Sequence, residues 1–591
     1  MAITQQQTAG RVIPILPEEF IDFETEATEF LKGNRDEVKF IGFRLKQGVY
    51  GQRQAARQMI RVKLPFGGVA ADQLDVLGDV ADRYAMLGKG HITTRENIQY
   101  HHVPLPLAVE ALKLMAEVGL STREACGNTV RNVTGDPWAG ICDDELFDVT
   151  PYAGAFIRYF VRNPLTQLLP RKFKVAFTGS AADRSITGIH DLGFIAQERG
   201  LNGKTERGFR IVTGGGLSIM AKNALVLYDF VPFNEYLRIS EAVLRIFERS
   251  DELRRNRMKA RIKFMIHKIG IDRFRKMVDK ELKGEWARED IPLSDLLFHD
   301  DEQSDAPEPD ATLPVAASAD TAAFGEFLRT NVRAQKQPGY SAVEVTVPQG
   351  DLTGDQFRGL AAIVRQHGAG RARTTPGQNI VLRWIPTGSV YEVWKKLSDI
   401  GLEDGGAFEI NDVVSCPGTD SCKLGITSSM GLNRAVRARL QEMQVTDPLT
   451  RTILINASGC PNSCGLHHIA SIGFHGAAIK SSGRQMPAYH VLLGGERRNG
   501  NVRMGTVLKS RLPAKRVPDA VERFIRYYEE HRNDGESFKD LFDRVGKVPF
   551  EEAVFDLTLA PEFSDESQST FVDWERKDLY VLERGEGECA V

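Results

Sequence analysis

The chain has 591 residues, of which 42% are hydrophobic and 26% charged, with a formal net charge of −3 and seven cysteines. That length exceeds what one hydrophobic core supports, so we expect at least two domains. The near-neutral charge gives no general case for nucleic acid or membrane binding, and no run of about 18 apolar residues predicts a membrane span. The segment MAITQQQTAGRVIPILPEEF lacks the basic-then-apolar order of a secretory signal, which predicts a cytoplasmic protein.

Residues 1–40 form a polar lead-in to a strand–helix–strand–helix unit at 41–125. Within that unit, QMIRVKLP predicts a strand and ADQLDVLGDVADRYAML a helix. A larger α/β domain is expected at 126–298. Its basic stretch at 252–283 predicts a solvated helix face, with a docking site for an acidic partner as the other interpretation. The segment 299–324, rich in Asp, Ala and Pro, predicts an extended, solvated linker.

The same order of elements then returns, over 325–410 and 411–535, before an extension at 536–591. Thr93 and Thr94 match Thr374 and Thr375, and KVAFTG at 174–179 matches LINASG at 454–459, with offsets of 280 to 281 residues. Random matches would not hold one offset over such a length. The sequence therefore predicts an internal duplication, with two α/β halves related by a pseudo-two-fold axis.

Four of the seven cysteines fall in two short segments of the second half. Cys416 and Cys422 stand in SCPGTDSC, and Cys460 and Cys464 stand in GCPNSC. The five-residue gap fits structural zinc poorly, and thiols stay reduced in the cytosol, which disfavours disulfides. An iron–sulfur cluster tolerates varied spacing and is the favoured interpretation. Zinc, and four thiols acting as small buried hydrophobes, stay open as alternatives.

The first half has no cysteines at the matching positions and concentrates cations instead. Ser180 and Asp183 follow Gly179, where the second half has cysteines. The cations are Arg95, Arg131, Lys172 and Lys174. Metal on one side and positive charge on the other suit the reduction of a small oxyanion, because Arg and Lys neutralise its oxygens and can supply protons to leaving water. Each cation taken singly could be a surface charge.

Five motifs give the chain a family resemblance over about 40–530. They are TTRENIQYHH at 93–102, CGNTVRNVTGDP at 126–137, LPRKFKVAF at 169–177, TGGGLS at 213–218, and the paired cysteine segments. The chain resembles the sulfite and nitrite reductases that hold sirohaem and a [4Fe–4S] cluster. The resemblance implies an α+β fold with two ferredoxin-like half-domains, at 41–125 and 325–410. It also implies two larger α/β sirohaem-binding domains with pseudo-two-fold symmetry, at 126–298 and 411–535.

The resemblance also assigns roles to individual residues. Cys416, Cys422, Cys460 and Cys464 would ligate the cluster, with Cys464 also the axial ligand of the sirohaem iron. The substrate would be bound by Arg95, Arg131, Lys172 and Lys174. Weaker sirohaem contacts are expected from Gln99, Gly214, Gly215, Gly216, Arg261, Lys263, Gln378 and Asn379.

The identity of residue 174 helps to distinguish between sulfite and nitrite as the substrate. Relatives that reduce nitrite tend to carry asparagine where Lys174 stands, and an added cation suits doubly charged sulfite better than nitrite. We therefore expect the six-electron, assimilatory reduction of sulfite to sulfide. Reduction of nitrite to ammonia is the alternative, and an iron–sulfur electron carrier without sirohaem is an alternative of another class.

Two further expectations concern the electron donor and Cys126. No G-x-G-x-x-G follows a predicted strand, so electrons should come from ferredoxin or a separate flavoprotein, and the CPNSC region is closer to the ferredoxin-dependent relatives. Some relatives join a tyrosine covalently to the cysteine of the CGN segment. Arg57 is the apparent counterpart of that tyrosine, so we expect no cross-link at Cys126.

Overall fold

Two small antiparallel sheets build the half-domains, and they exchange strands. The computed structural model describes residues 11–201 and 203–588. The first sheet has the order β1-β2-β5-β4-β13, with β1 (Val49–Gly51), β2 (Arg57–Val62), β5 (Ile98–Pro104), β4 (Lys89–Ile92) and β13 (Asp351–Thr353). The second has the order β11-β12-β15-β14-β3, with β11 (Val332–Ala334), β12 (Tyr340–Val345), β15 (Ile380–Pro386), β14 (Arg371–Thr374) and β3 (Gly68–Ala70). Each half therefore lends one edge strand to the other.

Helices pack on these sheets and join the halves into one core. They are α3 (Ala71–Tyr84) and α4 (Leu105–Glu117) in the first half, and α12 (Gly354–His367) and α13 (Val390–Ser398) in the second. Leu74 and Leu77 of α3 share a hydrophobic cluster with Leu360 of α12. The two helices cross so closely at Gly78 that a Cβ there would lie 2.8 Å from the Gly354 oxygen. A larger side chain would force the halves apart.

Two larger mixed sheets have identical topology, with three parallel strands followed by an antiparallel hairpin. The first contains β6 (Val130–Thr134), β7 (Phe173–Thr178), β8 (Leu192–Leu201), β9 (Lys204–Thr213) and β10 (Leu225–Pro232). The second contains β16 (Val414–Ser415), β17 (Ile455–Ser458), β18 (Ile472–Ser481), β19 (Arg484–Leu493) and β20 (Thr506–Pro513). Alternating apolar residues bury one face of each, so that Phe177 and Phe194 stack at 4.4 Å.

Matched hydrogen bonds confirm the duplication. The Thr93 amide donates to the Asn97 oxygen at 2.8 Å, and the Thr375 amide donates to the Asn379 oxygen at 2.9 Å. The structural equivalent of Thr93 is therefore Thr375, one position beyond the Thr374 expected from the sequence. The remaining helices are α1 (Pro17–Leu31), α2 (Glu37–Lys46), α5 (Thr150–Phe160), α6 (Tyr236–Glu248), α7 (Asp251–Arg255), α8 (Ile262–Ile269), α9 (Ile271–Glu281), α10 (Leu293–Leu296), α11 (Thr321–Asn331), α14 (Ser429–Met443), α15 (Val517–His531), α16 (Phe538–Val545) and α17 (Val548–Ala553). None of the helices in the described part is long and apolar enough to cross a bilayer.

Several segments differ from their expected form. The basic stretch at 252–283 is not one helix but α7, α8 and α9, with a break at Gly270, whose φ is +84°. The lead-in packs Phe23 and Phe40 into the first half-domain; its residues 1–10 lie outside the described part. Beyond 535, Phe538 and Phe550 enter the core of the second large domain, because apolar side chains of α16 and α17 cover β20 and α15.

The 299–324 linker is extended for much of its length but is anchored at several points, among them Asp300, which pairs with Arg371, and the buried carboxylate of Glu302. Glu302 accepts a hydrogen bond from Arg383 Nε at 2.7 Å and another from Trp384 Nε1 at 2.8 Å. Arg373 lies on its other oxygen at 3.5 Å. Composition predicts solvation here, but this one carboxylate finds two buried cations and is drawn into the second half-domain.

Candidate active site and cofactor-binding residues

The cysteine segments follow neighbouring parallel strands. Cys416 comes directly after β16, and Cys460 and Cys464 follow β17. Carboxyl ends of parallel strands meet at one edge of a sheet, which brings the two loops together. Gly459 allows the contact, since a Cβ there would lie 2.6 Å from the Gly418 Cα. The glycine before C-P-N-S-C is therefore required by the packing of one cysteine loop on the other.

The surroundings of the thiols suit an iron–sulfur cluster, and ligation by Cys416, Cys422, Cys460 and Cys464 stays a prediction; in the described part of the chain no group of three or more Cys, His, Asp or Glu side chains is arranged to hold a metal ion. The Gly459 amide donates to Cys416 Sγ at 3.3 Å, and backbone amides also face the sulfurs of Cys422 and Cys460. Burial, with repulsion from Cys464, raises the pKa of Cys416 to about 12 and also raises the pKa values of Cys422 and Cys460. Thiolates in such a place need compensating positive charge, which the irons of a cluster supply.

The cations of the first half converge on this cysteine edge. Arg95 lies in the turn between β4 and β5, and the hydroxyl of the adjacent Thr94 donates to the Cys464 oxygen at 2.8 Å. Burial, then repulsion from Arg95 and Lys172, lowers the pKa of Lys174 well below its usual value, while Cys464 opposes the shift. The predicted cations and the predicted cluster thiol thus act on one another. The structure therefore brings the basic residues of the first half next to the Cys464 loop of the second half, although the two stand far apart in sequence.

Arg131 completes the group. It lies on β6, next to the strand that carries Lys174. Its guanidinium donates to the Gly127 oxygen at 2.7 and 2.9 Å and to the Ala125 oxygen at 3.0 Å. Burial lowers the pKa of Arg95 to about 9, with further lowering from Arg131, so Arg95 keeps its charge at neutral pH. A concentration of partly buried positive charge is a ready binding site for a small oxyanion.

Arg61 is a residue that sequence reasoning missed. Arg61 on β2 lies opposite Gln99 on β5. When the side-chain amide of Gln99 is oriented with its oxygen toward Arg61, that oxygen accepts hydrogen bonds from Arg61 Nε at 2.9 Å and from Arg61 Nη2 at 2.8 Å. Arg61 Nη1 donates to the Ala125 oxygen, which Arg131 also uses, and lies 3.2 Å from Cys126 Sγ. An arginine between the core residues Ile60 and Val62 of the apolar strand QMIRVKLP was the available signal.

Cys126 lies in a small hydrophobic cluster with Leu45 and Met59, and Tyr50 packs against that cluster. The assignment of Arg57 as the counterpart of the tyrosine in the relatives stays a prediction. Arg57 lies at the start of β2. The expectation that Cys126 carries no cross-link stays a prediction.

Several residues that were expected to contact sirohaem form hydrogen bonds, ion pairs or close contacts with other protein groups. Arg261 forms a salt bridge with Asp191 at 2.8 Å. Lys263 Nζ lies within 3.2 Å of four carbonyl oxygens, which share its three N–H donors, and burial with repulsion from Arg261 lowers its pKa to about 8. A Cβ on Gly215 would lie 2.4 Å from the Gly188 oxygen, while Gly214 has φ +79° and Gly216 lies against Arg261. These glycines and cations hold the loop at 213–220, and their contact with sirohaem stays a prediction.

Gln378 and Asn379 connect the cysteine edge to both half-domains. Gln378 accepts from the Ser415 amide at 2.9 Å and donates to the Ile92 oxygen at 2.9 Å. Asn379 donates to Asp412 at 2.8 Å and accepts from the Val347 amide at 3.0 Å. Because these amide groups bond to protein, their role beside Cys416 is structural here, and direct sirohaem binding stays a prediction.

A segment outside the expected site secures the Cys422 loop. Residues 571–588, which we call the strap, cross that loop and reach the first half-domain. Their bonds to the loop are Ser428 N to Asp573 Oδ2 (2.8 Å), Tyr580 Oη to Ile426 O (2.8 Å) and Gly585 N to Lys423 O (2.9 Å). At the end of the strap, the Glu588 carboxylate accepts hydrogen bonds from both terminal nitrogens of Arg44 at 2.8 Å, from Lys423 Nζ at 3.0 Å and from the Gly51 amide at 2.7 Å.

Replacing Glu588 with glutamine should loosen the Cys422 loop. The side chains of Glu588 and Arg44 are only 5% and 8% exposed, so the substitution leaves a buried guanidinium unpaired, at a cost of about 3 kcal/mol. Hydrogen exchange at 417–428 should accelerate. Glu586→Gln, at an exposed position two residues earlier, is the matched control and should leave exchange unchanged. Equal protection in both variants would contradict a fastening role for the strap.

Comparisons with known proteins agree with this arrangement. The family model "Nitrite/Sulfite reductase ferredoxin-like half domain" matches residues 50–118 and 333–400. "Nitrite and sulphite reductase 4Fe-4S domain" matches 126–285 and 407–561. A ferredoxin sulfite reductase of Mycolicibacterium paratuberculosis is 30% identical over 81% of each chain. A chloroplastic ferredoxin–nitrite reductase of Spinacia oleracea is 29% identical over 85% of this chain and 80% of its own.

A solved structure, the NirA protein of Mycobacterium tuberculosis, matches with a TM-score of 0.72 and 26% identity over 90% of this chain and 96% of its own. A duplicated fold that carries cysteine loops on one half, with Cys464 beside partly buried cations of the other half, is typical of an iron–sulfur oxidoreductase. The chain belongs to the nitrite and sulphite reductase family. Its α+β duplicated fold is thereby confirmed, and its cofactors are sirohaem and a [4Fe–4S] cluster.

Proposed function

We propose that this protein is an assimilatory sulfite reductase that takes its electrons from ferredoxin. The observation that carries the choice of substrate is the position of Lys174, a basic side chain beside Arg95 and Lys172 at the cysteine edge, whose charged form a bound dianion would favour. Doubly charged sulfite gains more from this cation than singly charged nitrite. Ferredoxin is supported by the printed names of relatives that use it. A carrier without sirohaem would have no use for these cations.

Each half of the site has its own task. Cys416, Cys422, Cys460 and Cys464 would hold the cluster, with Cys464 shared by the sirohaem iron. When bound, these cofactors supply the electrons, and the conversion of sulfite to sulfide also consumes six protons and releases three waters. Arg95 and Arg131 give charge-assisted hydrogen bonds to the sulfite oxygens. Lys174, whose pKa burial and neighbouring cations depress, would take up its proton beside the bound anion and then pass it to a departing oxygen.

Replacing Lys174 with asparagine should change the preference between sulfite and nitrite. A hydrogen bond to a charged group contributes about 1.5–3 kcal/mol, so kcat/KM for sulfite should fall about 10- to 100-fold. Nitrite turnover should fall less, because nitrite gains less from the lost cation. The measurement is a steady-state comparison of both substrates with reduced ferredoxin as donor, on protein whose visible spectrum shows bound sirohaem.

Lys204→Asn is the control, because Lys204 is exposed at the start of β9, away from the cysteine edge. It should leave both substrates unaffected. Equal losses of sulfite and nitrite turnover in Lys174→Asn would contradict the sulfite assignment, and a wild-type preference for nitrite would replace it with nitrite reduction. Turnover that depended on a flavoprotein and ignored ferredoxin would contradict the proposed donor.

A further inference from the structure

His190 lies against Arg95 and is almost fully buried, at 3% exposure. Its Nε2 is 2.8 Å from Arg95 Nη1, and its Nδ1 is 2.9 Å from the Ile186 carbonyl oxygen. A carbonyl oxygen can only accept, so we assign the ring proton to Nδ1. Nε2 then presents a lone pair, and the guanidinium of Arg95 donates to it.

The other contacts of Arg95 are neutral as well. Its Nη2 donates to the carbonyl oxygen of Asn132, and its buried Nε has no hydrogen-bond partner among the described residues. Within the described part of the chain, no carboxylate forms an ion pair with Arg95. Burial raises the pKa of the neighbouring Glu96 well above its usual value and so favours its neutral form, while Glu96 and Asp191 act on Arg95 through electrostatic attraction and not through an ion pair. Arg95 is therefore held in place while its positive charge stays available.

The duplication supplies an internal comparison. The position equivalent to Arg95 is Gly377, since the Gly377 amide bonds the Thr375 hydroxyl as the Arg95 amide bonds that of Thr93. The position equivalent to His190, at the offset of 280 residues, is Ala470. The half without the arginine also lacks the imidazole. The two residues occur as a pair, on the side of the molecule that faces the substrate site.

We infer that His190 is a positioning residue for the proposed reaction, a neutral acceptor that aims the Arg95 guanidinium at the substrate oxyanion without neutralising it. The inference rests on the proposed role of Arg95 in binding substrate. A carboxylate in the same place would hold Arg95 equally well but would cancel its charge. Imidazole meets both needs, because burial and repulsion from Arg95 and Lys174 keep it uncharged at neutral pH.

Two substitutions separate this role from simple packing. His190→Asn places a donor near the Nδ1 position, toward Ile186, but removes the acceptor for Arg95. His190→Gln reaches the Nε2 position and can restore that acceptor. In the holoenzyme, His190→Asn should raise the KM for sulfite about tenfold, with kcat within about threefold, because one hydrogen bond to a charged group is lost. His190→Gln should recover most of the difference.

A crystal structure of each variant gives a readout that does not depend on turnover. Arg95 should leave its place in His190→Asn and keep it in His190→Gln. An unchanged Arg95 in His190→Asn, or equal KM increases in the two variants, would overturn the positioning role. If the wild-type enzyme reduced nitrite and not sulfite, the proposed function would fail, while the same KM comparison on nitrite and the position of Arg95 would still decide the role of His190.

Discussion

Cys460→Ser should yield a folded protein that has lost its iron–sulfur cluster and almost all turnover. Cys460 is buried at the edge where both cysteine loops meet, and its hydroxyl replacement is a poor ligand for cluster iron. Removing a group that only hydrogen-bonds to a metal ligand lowers metal affinity or activity by about 10- to 100-fold. Removing a ligand itself should therefore lower turnover by more than about a hundredfold. Iron and acid-labile sulfide per chain, and sulfite turnover, are the measurements.

Cys142→Ser is the matched control for this experiment. Cys142 is also buried, in a separate apolar cluster with Trp138 and Ile141. The same chemical change there should leave iron, sulfide and turnover close to the wild-type values. Full iron and sulfide in Cys460→Ser would remove Cys460 from the ligand set. Equal iron loss in both variants would mean that the cluster responds to general destabilisation and not to this thiol.

The duplicated fold was predictable because its signal is periodic and local. Strands such as QMIRVKLP and helices such as ADQLDVLGDVADRYAML carry their pattern within a few residues, and the offset of about 280 residues repeats it. The two cysteine segments were recognisable for a similar reason, since two compact motifs hold all four thiols; their ligand role stays a prediction. The exchange of β3 and β13 between the sheets was not, because Gly68–Ala70 and Asp351–Thr353 are three-residue edges whose partners lie far along the chain.

The contacts that hold the site residues in place were harder to predict from the sequence than the site residues themselves. Arg95 and Lys174 stand in recognisable motifs, but the neutral acceptor for Arg95 comes from position 190 and depends on the pairing of β7 with β8. The bond between Glu588 and Arg44 spans 544 residues. Nothing local distinguishes Glu588 from the exposed Glu586 beside it. Such contacts depend on tertiary proximity, which composition and periodicity do not encode.

Glu302→Gln should destabilise the protein by about 3–5 kcal/mol, although Glu302 stands in a segment whose composition predicts a solvated linker. Its side chain is 7% exposed, and those of Arg383 and Arg373 are 2% and 4% exposed. Removing the carboxylate charge leaves two buried guanidiniums without a counter-ion. The measurement is the free energy of unfolding in urea. Glu308→Gln, at an exposed position in the same linker, should have no effect.

The difference between Glu302→Gln and wild type should also depend on pH in a defined direction. Burial raises the pKa of Glu302, but Arg383 and Arg373 more than offset this and lower it to about 2, from 4.5 in the unfolded chain. A carboxyl whose pKa is depressed by folding stabilises the protein above its unfolded pKa and loses that contribution as pH falls. The wild-type advantage should therefore be complete at pH 7 and shrink by about 3 kcal/mol between pH 5 and pH 2. An advantage that stayed constant over this range would show that Glu302 acts through its shape and hydrogen bonds and not through its charge.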